Sequence, residues 1–219
     1  MISACIFDFD GVIVDTADFH YLSWKRLAIQ LGFEFTESQN EAMKGISRMD
    51  SLDVVLKIGN IKASPTEKIK MAHVKNEWYK EYLDTVDDSI ILTGVKSFLK
   101  DLQSHNIPYA LGSASKNAGF IMSKINISAG FSAIFDGNDT RYSKPHPEVF
   151  LKGASALQLD PSKIIVFEDS HKGIEAANTG GFVSCGIGEA DILYNAKYVI
   201  PSFENFTVDS LRTLLAEKE

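Results

Sequence analysis

Carboxylate side chains stand directly after two apolar runs that read as buried strands. The first run ends at Asp8, and Asp10 follows two residues later; the second ends at Glu168 and Asp169. Two carboxylates this close repel each other, so both stay ionised at neutral pH only with a cation nearby. The first pair is typical of a nucleophilic aspartate with an acid/base neighbour, and the second pair suits Mg²⁺, which prefers oxygen ligands. Each pair alone also fits a polar loop with a helix-capping aspartate.

Two further short segments combine hydroxyl and basic side chains. Residues 113–117 read Ser-Ala-Ser-Lys-Asn after a predicted strand, and residues 143–145 read Ser-Lys-Pro before a predicted helix. Hydroxyls, a lysine and the amides at a helix start together attract phosphate. Serine and asparagine also cap helices, and a lone lysine is usually a solvated surface charge. Each segment is therefore weak evidence until the fold places it.

From Gly94 onward, predicted helices and strands alternate regularly along the chain. This alternation implies parallel pairing through right-handed crossovers, hence an α/β fold with a doubly wound, mostly parallel, Rossmann-like sheet. Ligands bind such sheets at the carboxyl ends of the strands, where the acidic and basic motifs should meet. The predicted strands are 2–7, 108–112, 133–135, 164–167, 183–186 and 198–200, and the predicted helices are 95–104, 118–125, 147–157, 171–179 and one from Val208.

Residues 15–89 lack the alternating pattern of strands and carry helical periodicity instead. We predict helices over 15–29, 37–43, 49–58 and 65–83, with Pro65 at a first helical turn after Ser64 as a strong start signal. The pattern predicts a helical cap domain, 15–89, inserted into an α/β catalytic core formed by 1–14 and 90–219. Since the insertion begins one loop after the first strand, the cap should overhang the carboxyl edge of the sheet.

The composition excludes several classes of protein. The chain has 219 residues, a formal charge of −7, 45% hydrophobic and 23% charged residues, which is ordinary for a globular domain. The acidic balance argues against a nucleic-acid partner, and no apolar run is long enough for a membrane helix. The first residues lack the basic segment of an export signal, so we expect a cytoplasmic protein, and a monomer. Gly186-Ile187-Gly188 lacks the third glycine of a dinucleotide site.

Taken together, the order and spacing of the four motifs resemble the haloacid dehalogenase superfamily of aspartyl phosphotransferases. The match covers nearly the whole chain, and the helical insertion resembles the cap of that superfamily. Within it, residues 44–48 (Lys-Gly-Ile-Ser-Arg), 50–51 and 113–117 resemble the mutases that act on β-glucose phosphates. The resemblance implies interconversion of β-glucose 1-phosphate and glucose 6-phosphate through an aspartyl phosphate and a bound β-glucose 1,6-bisphosphate.

The resemblance also implies a role for each motif residue. Asp8 would be the nucleophile and Asp10 the acid/base, while Ser113 and Lys144 would balance charge on the transferred phosphoryl group. Mg²⁺ would bind Asp8, the backbone carbonyl of Asp10, Asp169, and Glu168 directly or indirectly. The implied contacts to sugar phosphates, including a distal phosphate held by Arg48 with residues 115–117, are Thr16, His20, Trp24, Gly45, Ile46, Arg48, Ser51, Lys75, Ala114, Ser115, Lys116 and Asn117.

Several alternatives stay open from the sequence. A sugar-phosphate phosphatase of the same fold would resolve the aspartyl phosphate with water, and a phosphosugar-binding protein would lack turnover. A phosphonatase would need a Schiff-base lysine on the cap, for which Lys44 is available. Residues 139–142 and His146 are bulkier than their counterparts in the resembled mutases, which leaves the preferred sugar open.

Overall fold

Short apolar runs form a fully parallel sheet at the centre of the molecule. The structure, a computed structural model, describes residues 2–127 and 129–216; Met1, Ser128 and residues 217–219, which fall within the predicted core, lie outside the described residues. The described strands pair in the order β3-β2-β1-β4-β5-β6. Their bounds are Ala4–Phe7 (β1), Tyr109–Gly112 (β2), Ala133–Phe135 (β3), Ile164–Glu168 (β4), Val183–Ile187 (β5) and Tyr198–Ile200 (β6).

Nine α-helices accompany this sheet within the described residues. They are Ala17–Gln30 (α1), Glu37–Glu41 (α2), Arg48–Ile58 (α3), Pro65–Leu83 (α4), Val95–Ser104 (α5), Ala118–Met122 (α6), Glu148–Leu157 (α7), His171–Thr179 (α8) and Val208–Ala216 (α9). No described helix combines the length and apolar composition needed to cross a bilayer. The predicted α/β class with a parallel sheet is confirmed.

The side chains of each strand alternate between two hydrophobic layers. On one face, Phe7 stacks on Phe167 with ring centroids 5.1 Å apart, and both rings pack against residues of α5 and the C-terminal segment. On the other face, Ile6 and Val166 pack against Phe150 of α7 and the alanines of α8. Because both faces are covered, the strands are apolar throughout, as parallel strands buried by crossover helices are.

Helices α1, α3 and α4, with residues on either side of α2, share a hydrophobic cluster that is separate from those of the sheet. Trp24, Leu52, Val55 and Trp78 are among its buried members. Helix α4 begins with the predicted signal: the Ser64 hydroxyl accepts from the Glu67 N–H, and the Glu67 carboxylate accepts from the Ser64 N–H. The segment therefore has a core of its own, while the predicted domain limits, 15–89 within 1–14 and 90–219, stay predictions.

Several element limits differ from those predicted by one to three residues, and two of these differences bear on the site. Glu168 is the last residue of β4 rather than the first residue after it, because it pairs in register with Gly186 of β5. Helix α6 ends at Met122 instead of Ile125. The Asn126 N–H donates to the Asp88 carboxylate at 2.8 Å, so the chain leaves the helix to make this contact.

Candidate active site

A buried lysine lies between two carboxylates at the carboxyl edge of the sheet. Asp8 follows β1, whose neighbours on either side are β2 and β4. Lys144 donates through Nζ to Asp8 Oδ1 at 2.6 Å and to Glu168 Oε2 at 3.4 Å. Burial opposes the charge of Lys144, but the two carboxylates raise its pKa above the ordinary value. The ammonium group is therefore held cationic beside Asp8.

Three carboxylates at this edge could hold a metal ion. Oxygen atoms of Asp8, Glu168 and Asp169 all lie within 4.8 Å of one another. Burial, followed by the charge of Asp8, raises the pKa of both Glu168 and Asp169. Both oxygens of Glu168 accept hydrogen bonds, one from Ser170 and one from Lys144. Lys144 bonds only Oδ1 of Asp8, so Asp8 and Asp169 are the freer metal donors. An all-oxygen donor set with excess negative charge fits a hard divalent cation.

Asp10 lies two residues after Asp8, immediately before the turn formed by residues 11–13. Its Oδ1 accepts a hydrogen bond of 2.5 Å from the Thr16 hydroxyl. Burial and the neighbouring charge of Asp8 raise the pKa of Asp10 to about 6. Gly11, at φ +81°, makes this turn possible, because a Cβ there would lie 2.0 Å from Asp169 Oδ2. Asp10 can therefore both give and accept a proton near neutral pH.

A cavity of about 560 Å³ opens above this edge, between the sheet and the helical segment. Asp8, Asp10 and Asp169 line its floor, whereas Ser113, Lys144 and Glu168 are buried just behind the lining. The structure brings every predicted substrate contact to its wall. These are Thr16, His20, Trp24, Gly45, Ile46, Arg48, Ser51, Lys75, Ala114, Ser115, Lys116 and Asn117. Their individual roles stay predictions.

The wall contributed by the helical segment contains a buried basic pair. Lys75 Nζ lies 3.0 Å from His20 Nδ1 and 4.5 Å from the ring centroid of Trp24. Burial and then the charge of Arg48 lower the pKa of Lys75 well below its ordinary value, and burial lowers that of His20. Trp24 is also a member of the helical cluster, so its indole supports the pair as well as lining the cavity.

Polar side chains after β2 connect the sheet to the helical segment. The Ser113 hydroxyl accepts from the Ser115 N–H at 3.0 Å, and Asn117 Nδ2 donates to Asn76 Oδ1 of α4 at 3.0 Å. Helix α6, which follows, is only five residues long. Its dipole therefore contributes less to anion binding than the longer predicted helix implied. The cationic side chains that line this part of the cavity include Arg48 and Lys116.

Several residues that line the cavity were not predicted from the sequence. Ile69 and His73 of α4 line the cavity, as do Thr140 and Arg141 of the loop before Lys144. Ile69 and His73 are four residues apart, so they share one helix face with Asn76, and this spacing was the available signal.

Lys44 does not have the environment of a Schiff-base lysine. It forms an ion pair with Glu41 at 2.9 Å and lies 3.9 Å from Asp169. Burial lowers the pKa of Lys44, but Glu41 and Asp169 raise it by more, so the pKa lies above its ordinary value. A lysine nucleophile needs a lowered pKa, so the phosphonatase alternative loses support.

A parallel sheet whose central strand ends at paired aspartates, beneath an inserted helical segment, defines a class of phosphoryl-transfer proteins. The sequence profile of the haloacid dehalogenase-like hydrolase family matches residues 5–187. The chain belongs to this family, and the resemblance seen in the motifs is confirmed.

Individual relatives show which activities occur among proteins similar to this chain. The chain is 35% identical to a β-phosphoglucomutase of Bacillus subtilis, over 95% of this chain and 93% of the relative. It superposes on a β-phosphoglucomutase from Clostridium difficile with a TM-score of 0.93 and 41% identity, covering 99% and 98% of the two chains. It is 27% identical to a phosphorylated carbohydrates phosphatase of Thermotoga maritima, over 81% of each chain.

Proposed function

We propose that the protein is a β-phosphoglucomutase, which interconverts β-glucose 1-phosphate and glucose 6-phosphate. One observation carries the proposal. A single cavity has the Asp8 centre on its floor and the half-buried Arg48, with Lys116 and Asn117, on its wall. A mutase must hold one phosphate at the reacting centre and another at a distance, because its intermediate is a bisphosphate. The two β-phosphoglucomutase relatives support the same activity.

The chemistry follows from the positions of the two aspartates. A carboxylate oxygen of Asp8 attacks phosphorus of the bisphosphate, and the bond between phosphorus and the sugar oxygen breaks. Asp10 gives its proton to that sugar oxygen, which leaves as a hydroxyl. In the reverse direction Asp10 takes the proton from the hydroxyl that attacks the aspartyl phosphate. The Lys144 ammonium group, with the Ser113 hydroxyl, offsets negative charge on the phosphoryl oxygens.

The proposed cofactor is Mg²⁺. Asp8, Asp169 and the backbone carbonyl of Asp10 would hold it, with Glu168 acting directly or through Lys144 and Ser170. When bound, the ion would further offset the charge of the phosphoryl group. The fit rests on the cluster of carboxylate oxygens described above, whose excess charge one lysine only partly offsets.

A ³¹P NMR experiment tests the proposed function. The protein, Mg²⁺ and β-glucose 1-phosphate are mixed with a priming amount of β-glucose 1,6-bisphosphate. We expect glucose 6-phosphate as the main product. Inorganic phosphate as the main product would instead identify the alternative function, a sugar-phosphate phosphatase, which the Thermotoga maritima relative supports.

The variant Arg48→Ala tests the distal phosphate site. A bidentate pair between arginine and phosphate, shielded from water, contributes about 1.5–3 kcal/mol or more. We therefore expect mutase efficiency, kcat/KM, to fall roughly 10–200-fold. Hydrolysis of acetyl phosphate, which has no second phosphate, should change little, because Asp8 and Lys144 are untouched. Equal losses in the two assays would contradict the assignment of Arg48.

A cytoplasmic location, a monomeric state and sugar phosphates as the sole partners complete the proposal. The acidic composition disfavours nucleic acid as a partner, which supports small sugar phosphates as the ligands. Size-exclusion chromatography with light scattering tests the monomeric state directly.

A further inference from the structure

A short loop before Lys144 is fixed to the sheet domain by one carboxylate. The N–H groups of Arg141 and Tyr142 both donate to Glu148 Oε2, at 3.0 and 2.8 Å. The Tyr142 ring packs against His146 with centroids 4.6 Å apart, and the Arg141 guanidinium lies 5.4 Å from the Tyr142 ring centroid. The backbone of Arg141 is thus held in place, and its side chain rests on an aromatic surface.

This loop faces the start of helix α3. The Ser143 hydroxyl donates to Asp50 Oδ2 at 3.3 Å, and Asp50 lies two residues after Arg48. Asn138 Nδ2, at the other end of the loop, donates to the carbonyl of Lys116 at 3.1 Å. Residues 138–143 therefore span the gap between Arg48 and Lys116, the two cations of the distal phosphate site. Arg141 lies within this span and lines the same cavity.

The charge of Arg141 is not used inside the protein. Among the described residues it forms no ion pair, whereas Arg26 and Arg212 each pair with a carboxylate. Arg141 is also exposed, so its side chain can turn toward the cavity without breaking a protein contact other than the one with Tyr142. An unpaired guanidinium at the mouth of an anion-binding cavity favours a dianionic ligand group.

We infer that Arg141 is a specificity-determining residue that contacts the distal phosphate of a bisphosphorylated sugar between Arg48 and Lys116. The inference rests on the proposed function and deepens it. Arg141 adds affinity for ligands with two phosphates, while the reacting phosphate at Asp8 does not need it. The loop in which the chain departs from the resembled mutases thereby acquires a role in selecting the bisphosphate.

Isothermal titration calorimetry with β-glucose 1,6-bisphosphate tests this inference. Asp8→Asn protein with Mg²⁺ is the parent, because it cannot transfer the phosphoryl group. Adding Arg141→Ala should weaken binding of the bisphosphate by roughly tenfold, since a charge-assisted hydrogen bond to phosphate is lost. Arg212→Ala, which removes the same charge from a distant ion pair, is the matched control and should leave the dissociation constant within about twofold.

A second measurement separates contact with phosphate from an effect on folding. With Asp8 intact, Arg141→Ala should hydrolyse acetyl phosphate within about twofold of the wild-type rate. Unchanged bisphosphate binding would overturn the inference, and so would a loss of acetyl phosphate hydrolysis as large as the loss of binding. If the wild type made no glucose 6-phosphate, the mutase would be excluded, yet Arg141-dependent binding of the bisphosphate would still support this contact.

Discussion

Replacing Asp8 with asparagine should reduce phosphoryl transfer by at least roughly a thousandfold, because an amide oxygen is a poor nucleophile toward phosphorus. Asp8 is nearly buried and bonded to Lys144, in the place that the proposed attack requires. The substitution keeps the size and the acceptor oxygen of the side chain, and Glu168 still pairs with Lys144. Mutase turnover and acetyl phosphate hydrolysis should therefore disappear together.

The fold of this variant should survive. Circular dichroism and thermal unfolding check it, and Asp209→Asn, which removes an equal charge from an exposed ion pair, is the matched control with wild-type activity. Residual activity of Asp8→Asn within about tenfold of the wild type would contradict an aspartyl phosphate on Asp8, because another group would then have to accept the phosphoryl group.

The variant Asp10→Asn should slow transfer between sugar and protein by about 10²–10⁴-fold, the usual contribution of a positioned acid/base group. The pKa of Asp10, about 6, lets the carboxyl group exchange a proton near neutral pH, and an amide cannot do so. Asparagine retains an oxygen that can accept the Thr16 hydrogen bond, so the local structure should persist. Single-turnover kinetics with β-glucose 1,6-bisphosphate give the rate.

Binding of Mg²⁺ by the same variant distinguishes the two roles proposed for this residue. If only the backbone carbonyl of Asp10 contacts the ion, the affinity for Mg²⁺ should be retained. A large loss of affinity would show that the carboxylate is itself a ligand, and the assignment of Asp10 as the acid/base would fail.

The arrangement of strands and the positions of the chemical motifs followed from local pattern. Apolar runs that end abruptly at Asp8 and Asp169, with helices between them, allow few topologies other than a parallel sheet. The start of α4 at Pro65 was also predictable, because a capping serine and a proline act locally. The carboxyl edge of the sheet is therefore predictable from the sequence as the place where these motifs meet.

Features that depend on distant contacts were not predictable in the same way. The early end of α6 reflects a bond from Asn126 to Asp88, which lies 38 residues earlier. The spacing of Ile69 and His73 places them on one helix face, but the sequence alone does not show that this face lines the cavity. The hydrogen bond between Ser143 and Asp50 likewise joins residues that are 93 positions apart, and a single sequence gives no signal for such a contact.

The separate hydrophobic cluster of helices α1, α3 and α4 has a consequence for how such proteins diversify. The groups proposed to act on phosphorus are attached to the sheet, whereas Arg48, Lys75 and His20 belong to a segment with its own core. Substitutions in that segment can therefore remodel the ligand wall while the reactive groups keep their geometry. Transplanting the helices between relatives is a direct route to enzymes that apply one reaction to new sugars.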